Sequence, residues 1–401
     1  MHEKVYSSVK LSYKFLGSEE DKSLLLLCSL YKEDEYINTN DLLKYGVGIS
    51  LFDQGSIKPE DARNRVLNLV ENLRTSSLLL EGNRAGYVKM HDVVRDVAVS
   101  IALGEKEMCS IRNVGELEVL QKKRKLESLT AISLLYSYDL RSSRFLCPKL
   151  LFLFMRGLSE IVGSAINSQL FEATEELQVL RLDFIDLGRS LPSFYFIQNL
   201  QTLMLRKCRL GDITWIGELR NLEILDLSSS RFREVPKTLG KLTRLLSLDL
   251  YDSEDLKVIQ TWCYIKLGSI RRVDPRRSSF TNWVVEEVNG ERSNASLAEL
   301  KNLRQLTTLH LLANPDNLVA GLFTDKLERY ALHIGPGIWC SCKHHQRYSR
   351  FLELNSVHSK SHIEQSGLKF LIKKAEELHM KRAIEINDVV PELDEDGFSQ
   401  L

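Results

Sequence analysis

The 401-residue chain has no long apolar run. Its longest, Leu24–Leu30, is seven residues and contains a cysteine and a serine, whereas a membrane-spanning helix needs about 20 apolar residues. No apolar signal segment opens the chain, so the expected location is the cytoplasm. There is no excess of either charge: 54 Lys and Arg face 54 Asp and Glu, so no overall field favours nucleic acid or an anionic membrane. Cysteines are few, scattered and odd in number, seven in all, which suits reduced thiols rather than a disulfide framework. Catalytic signatures are also missing: no G-x-S-x-G, no H-E-x-x-H and no dinucleotide-binding fingerprint. The expectation is a protein that is not an enzyme. With 43% apolar and 27% charged residues, the chain is long enough to bury substantial cores.

What the sequence does contain is a period. The spacing Leu-x-x-Leu-x-Leu recurs at Leu177/Leu180/Leu182, Leu200/Leu203/Leu205, Leu222/Leu225/Leu227, Leu245/Leu248/Leu250, Leu306/Leu309/Leu311 and Leu327/Tyr330/Leu332. Weaker members are Leu129/Ile132/Leu134 and Leu150/Leu153/Met155, and degraded ones are Leu352/Leu354 and Ala375/Leu378/Met380. Starts at 129, 150, 177, 200, 222 and 245 lie 21, 27, 23, 22 and 23 residues apart, within the 20–29 of leucine-rich repeats. Alternate strand residues point the same way, so the last two apolar positions of each motif enter one core. Stacking the units then builds a continuous core under a parallel sheet. The expected fold is α/β, a winged-helix-like N-terminal domain followed by a leucine-rich-repeat solenoid with a curved parallel sheet. The expected boundaries are 1–105, a linker over 106–128, and repeats over 129–401. Between Leu250 and Leu306 the motif lapses, and Arg271–Arg277, basic and containing Pro275, suggests a loop more than a strand.

Side chains facing away from the leucines would form the concave, partner-binding face: Arg181, Asp183, Met204, Arg206, Asp226, Ser228, Asp249, Tyr251, His310, Arg329 and His333. Such solenoid faces bind proteins.

Residues 1–105 follow a different pattern. Pro59 with Glu60 and Asp61 marks a helix start. Ala62, Val66, Leu69, Val70 and Leu73 form one helical face. Leu78–Leu80 and Tyr87–Met90 flank a turn and predict a hairpin. Asp92 is a candidate N-cap for a helix through Val93, Val94, Val97, Ala98 and Ile101. Winged helices often bind DNA, but this stretch has eight Lys and five Arg against seven Asp and nine Glu, a net of −3, which disfavours a phosphate-binding face.

The run Val88-Lys89-Met90-His91-Asp92-Val93-Val94-Arg95-Asp96-Val97-Ala98 resembles the Met-His-Asp motif of plant nucleotide-binding (NB-ARC) leucine-rich-repeat disease resistance proteins. Val9-Lys10-Leu11-Ser12-Tyr13 and Leu24–Leu30 also resemble that family, closest to its coiled-coil class. The resemblance implies an immune receptor. Its repeats would recognise a pathogen effector or a guarded host protein, and His91 would contact the terminal phosphate of ADP in an ADP/ATP switch. It implies, too, the missing nucleotide-binding and coiled-coil domains of a related receptor as possible partners. Tyr31-Lys32-Glu33-Asp34 departs from the family's Phe-Pro-Glu-Asp. No G-x-x-x-x-G-K-[ST] is present, since Val235 stands where the first glycine before Gly240-Lys241-Leu242-Thr243 belongs. The expectation is therefore a fragment or shortened product that binds no nucleotide tightly by itself. Two other readings stay open, a nucleotide-independent repeat scaffold and, disfavoured by charge, a DNA-binding regulator. Cys340, Cys342, His344 and His345 lack the second ligand pair of a zinc site, so no metal is expected. Gln121-Lys122-Lys123-Arg124-Lys125 suits either a solvated linker or a nuclear address.

Overall fold

The computed structural model describes residues 2–52, 59–135, 146–157, 171–188, 194–260, 270–274, 280, 283, 294–336, 349–357 and 360–382. The chain divides into two compact units, Met1–Cys208 and Arg209–Leu401.

The first unit begins with a helical module. Its elements are α1 (His2–Lys14), α2 (Glu19–Ser29), β1 (Ile37–Asn38), α3 (Thr39–Gly48), α4 (Pro59–Thr75), β2 (Leu80–Glu81), β3 (Tyr87–Lys89) and α5 (Asp92–Glu105). Ser18 caps α2 by accepting the Asp21 N–H at 3.0 Å, and Glu19, Glu20 and Asp21 occupy its positive end. Leu24–Leu27 are buried on every side, so α2 is the axis of the module rather than a surface helix. Ala62, Val66, Leu69, Val70 and Leu73 are all buried, as their helical spacing predicts. Strand β3 lies between β1 and β2 and is antiparallel to both. From α2 the module thus runs helix, strand, two helices and hairpin.

The same unit continues into parallel strands β4 (Met108–Ile111), β5 (Ala131–Leu135), β6 (Phe152–Arg156), β7 (Val179–Asp183) and β8 (Thr202–Arg206). Ile132, Leu153, Leu180 and Leu203 sit side by side, and so do Leu134, Met155, Leu182 and Leu205. All eight are buried. The stretch expected as a linker holds β4, which pairs with β5 in parallel, followed by α6 (Val114–Lys122). It is therefore the opening turn of the repeats. Met108 and Ile111 are the buried residues of β4, and Leu117 and Leu126 are buried after it, a spacing that does not register as the motif. The basic run Lys122–Lys125 lies exposed at the end of α6.

In the second unit, β9 (Ile224–Asp226), β11 (Ser247–Asp249), β13 (Arg272–Asp274), β14 (Thr308–Ala313), β15 (Arg329–Ile334), β16 (Arg350–Asn355) and β17 (Glu377–Lys381) pair in parallel in that order. Short β10 (Glu234–Val235) and β12 (Val258–Ile259) pair separately. The expectation of a loop around Arg271–Arg277 is corrected: Arg272–Asp274 is a ladder strand, with Ile270 and Val273 buried where leucines would stand. Pro275 lies outside the described residues.

The turn after each strand has a regular backbone feature. The residue two positions past the last motif apolar residue takes a left-handed conformation at Phe184, Lys207, Ser229, Asp252, Ser356 and Arg382, with φ between 52° and 60°. Non-glycine residues pay about 1–2 kcal/mol for this. The turn directs amides at the next repeat: Phe184 N–H donates to Arg206 O at 3.0 Å, Ser229 N–H to Tyr251 O at 2.7 Å, and Ser356 N–H to Lys381 O at 3.0 Å. One position further on, Cys208 Sγ donates to Leu182 O at 3.3 Å, and Ser253 Oγ donates to Leu227 O at 3.2 Å. Small polar side chains thus tie these two turns to the preceding repeat's strand.

Leu225→Ala, at a fully buried motif position, should cost about 2–5 kcal/mol. Arg244→Ala, which removes an exposed pair with Glu223, should change stability by less than about 1 kcal/mol. Urea denaturation followed by circular dichroism measures both.

Candidate functional site

Within the first unit, α3 lies against the sheet face opposite the leucines. Gly48, the last residue of α3, makes this approach possible. A Cβ there would fall 2.4 Å from Val179 Cγ2 and 2.6 Å from Thr202 Oγ1. Thr202 Oγ1 donates to Lys44 O at 3.1 Å. Around this point Tyr45 meets Phe152 edge-on at 4.9 Å, and Tyr31 meets Phe154 at 5.8 Å. Phe152, Phe154, Val179 and Met204 share one apolar cluster with the core of the module.

A charge network sits beside these rings. Arg206 donates through Nη1 and Nη2 to both oxygens of Asp41, each at 2.7 Å. Arg181 donates through Nη1 to Asp41 at 3.0 Å, to the Tyr45 hydroxyl at 2.6 Å and to the Tyr31 hydroxyl at 3.0 Å. Its Nε and Nη2 bond Asp183. Arg156 Nη2 donates to Glu35 at 2.6 Å and to Asp183 at 3.3 Å. The Arg181 guanidinium also lies 4.3 Å from the Phe154 ring centroid. Three cations meet three carboxylates. The forked, charge-assisted geometry is what lets such groups leave water.

The protonation states follow from this arrangement. Burial pushes the Asp41 carboxyl up, but Arg206 and Arg181 outweigh it and hold the group below its ordinary value. Burial opposes the charge on Arg181, yet Asp183, the two tyrosines and Asp41 raise its pKa. Burial raises the Tyr45 hydroxyl to about 12, so it stays protonated.

His91 lies at the mouth of α5. It is the N-cap, and its Nδ1 accepts from Val93 N–H at 3.4 Å and contacts the Asp92 carboxylate. Asp92, expected as the cap, is instead the first helical residue and accepts the same N–H at 2.6 Å. The His91 side chain is 60% exposed, at a helix end whose first amides favour an anion. One turn on, buried Arg95 donates from Nε to Tyr31 O at 2.9 Å. Tyr31 therefore links the helix of the Met-His-Asp motif, through its carbonyl, to Arg181, through its hydroxyl.

This corrects the expected partner-binding face. Arg181, Asp183 and Met204 are buried, and Arg206 is bound to Asp41, so an internal surface occupies all four. In the second unit Asp226 and Asp249 are also buried. Each turns back to accept a backbone N–H two residues on, from Ser228 at 3.0 Å and from Tyr251 at 3.1 Å. His333 is buried with Nδ1 3.0 Å from Glu353, which also receives Lys381 at 2.6 Å. Ser228, Tyr251, His310 and Arg329 keep part of their surface. His310 Nδ1 lies 2.7 Å from Asp274. Sequence reasoning missed Glu35, Asp41 and Arg156. The only signal was a set of charged residues on faces otherwise apolar or aromatic.

Among the described residues no group of His, Cys, Asp and Glu is placed to hold a metal ion. Cys340, Cys342, His344 and His345 lie outside those residues. Burial raises the Cys28 and Cys147 thiols to about 12 and Cys109 to about 11, so these are not reactive thiolates. No described helix is long and apolar enough to cross a membrane.

No family model matches the chain. Over the whole chain it is 27% identical to a disease resistance protein of Arabidopsis thaliana, covering 41% of that protein. Over 56% of the chain it is 33% identical to a probable disease resistance protein of the same plant, covering 24% of it. Its homologues are plant disease resistance proteins. The chain spans about two fifths of the length of the first relative and a quarter of the second. Among solved structures, a leucine-rich-repeat protein of Leptospira interrogans is similar over 68% of this chain and 64% of its own, with a TM-score of 0.38 and 16% identity.

Asp41→Ala would strand buried Arg181 and should cost about 3–5 kcal/mol. Gly48→Ala, favourable in an ordinary helix, should here weaken α3 docking, read as faster amide exchange over residues 39–48. Because the folded Asp41 pKa is depressed, its contribution is present above the unfolded value near 3.9 and is lost as pH falls through the folded value. Acid titration of the wild-type chain should therefore loosen α3 only below about pH 4, and Asp41→Asn should remove that component.

Proposed function

We propose that this chain carries the winged-helix and repeat regions of an intracellular plant immune receptor, and that its repeats recognise a pathogen effector or a guarded host protein. The observation that carries the reading is the path from His91 and α5 through Arg95 and Tyr31 to Arg181. It gives the repeats a direct mechanical hold on the helix that bears the Met-His-Asp motif. A partner that binds the repeats differently in the docked and undocked states would shift that equilibrium, and the shift would reach His91. In this reading His91 touches the terminal phosphate of ADP, in company with the phosphate-binding loop that the family places before this segment. The chain binds rather than transforms its partner, works in the cytoplasm, and by itself holds ADP or ATP only weakly.

The test replaces the matching segment of the 27%-identical Arabidopsis relative with this chain and co-expresses the chimera with candidate pathogen-secreted proteins in leaves. Cell death should depend on one such protein and be lost when Tyr251, His310 and Arg329 are replaced together by alanine. Recognition unchanged by that triple substitution would refute the inner face of the second unit as the recognition surface. His91→Ala should lower ADP retention in the chimera, and calorimetry of the unfused chain should give no saturable heat with ADP or ATP.

A further inference from the structure

The row of guanidinium groups on β6, β7 and β8 is itself a built anion site, and the chain's own carboxylates fill it. We propose that Arg156, Arg181 and Arg206 form a binding site for an acidic protein segment that replaces Glu35 and Asp41 and so releases the helical module. This rests on the reading of the repeats as a protein-recognition surface and names the chemistry of the partner.

Charge decides the ligand class. The sheet contributes three guanidinium groups and one carboxylate, Asp183, to the network. That leaves two positive charges, and the module supplies two negative ones, Glu35 and Asp41. A competing ligand must bring two carboxylates as well, because fewer would leave a buried guanidinium uncompensated. Geometry sets their spacing. Arg156 and Arg206 stand two strands apart, about 10 Å at the usual strand separation. A segment in the polyproline II conformation has three residues per turn and rises about 3.1 Å per residue, so acidic residues at positions i and i+3 share one face about 9 Å apart and match that distance.

Exposure sets the order of exchange. The Arg156 and Arg206 side chains are 22% and 18% exposed, whereas Arg181 is 6% exposed. The outer two can be reached from solvent while the module is in place. A ligand carboxylate captures one of them first. Arg181 changes partner only when Asp41 leaves.

The probe is an acetylated peptide, Ser-Glu-Thr-Ser-Glu-Ser, with its glutamine counterpart as control. On the wild-type chain at millimolar concentration, the acidic peptide should accelerate amide exchange over residues 39–48, and the glutamine peptide should not. The double substitution Glu35→Gln and Asp41→Asn removes the internal competitor and keeps the side-chain shapes. By calorimetry it should bind the acidic peptide at least about tenfold tighter, since the tethered carboxylates act at an effective concentration near millimolar. Adding Arg206→Ala should abolish that gain. The proposal is overturned if the two peptides act alike, if the double variant gains no affinity, or if Arg206→Ala leaves the gain intact. Should the double variant fail to fold, the exchange experiment on the wild-type chain decides alone. Failure here removes the acidic-segment site only; whether the repeats recognise a pathogen protein is decided separately, by cell death in leaves.

Discussion

Three guanidinium groups on neighbouring strands cannot be covered by an apolar surface. Moving one ion out of water costs several kcal/mol even after relaxation, and mutual repulsion adds to it. Whatever lies over Arg156, Arg181 and Arg206 must therefore bring negative charge to defined places. The module does so with Asp41, seated on Arg206 as a fork, and with Glu35 on Arg156. The rings of Tyr31, Tyr45, Phe152 and Phe154 supply contact area, but aromatic packing alone would tolerate sliding. The ion pairs give the contact its register, because a shift of one strand would set Asp41 against Asp183.

The repeats reach this arrangement by separating two tasks on the same strands. Alternate positions are committed to the leucine core and vary little: Leu153, Leu180 and Leu203 are in line and fully buried. The positions between them face the other way and are free to differ. In the first unit they hold the module. In the second, Asp226 and Asp249 close their own turns, and Glu353 anchors His333 and Lys381. Because these carboxylates are buried, the surface that remains includes Arg329, Tyr251 and His310.

The leucine ladder was legible because one side-chain type recurs at a spacing that only a stacked strand explains. The helical module was legible for a similar reason: Pro59, the 62–73 face and the hairpin are local signals. The interface was not. Asp41 and Arg181 are 140 residues apart, and nothing periodic marks them among 54 acidic and 54 basic residues. The left-handed turn positions carry Phe, Lys, Ser, Asp, Ser and Arg, so no glycine announced them. Strand β13 was hidden because Pro275 and four arginines around it outweighed a three-residue strand. An outward-pointing position is not thereby a solvent-facing one, as Arg181 and Asp183 demonstrate. Alternation says which way a residue points and is silent on what covers it.

A buried network of this kind also resists partial opening. Withdrawing Asp41 alone would leave Arg181 desolvated with only Asp183 and two hydroxyls, and removing one partner of a buried ion pair is strongly destabilising. Tyr31 stands at the centre of this arrangement: its hydroxyl accepts from Arg181 of the sheet, and its backbone carbonyl accepts from Arg95 of α5, so the charge network and the helix that follows His91 meet at one residue.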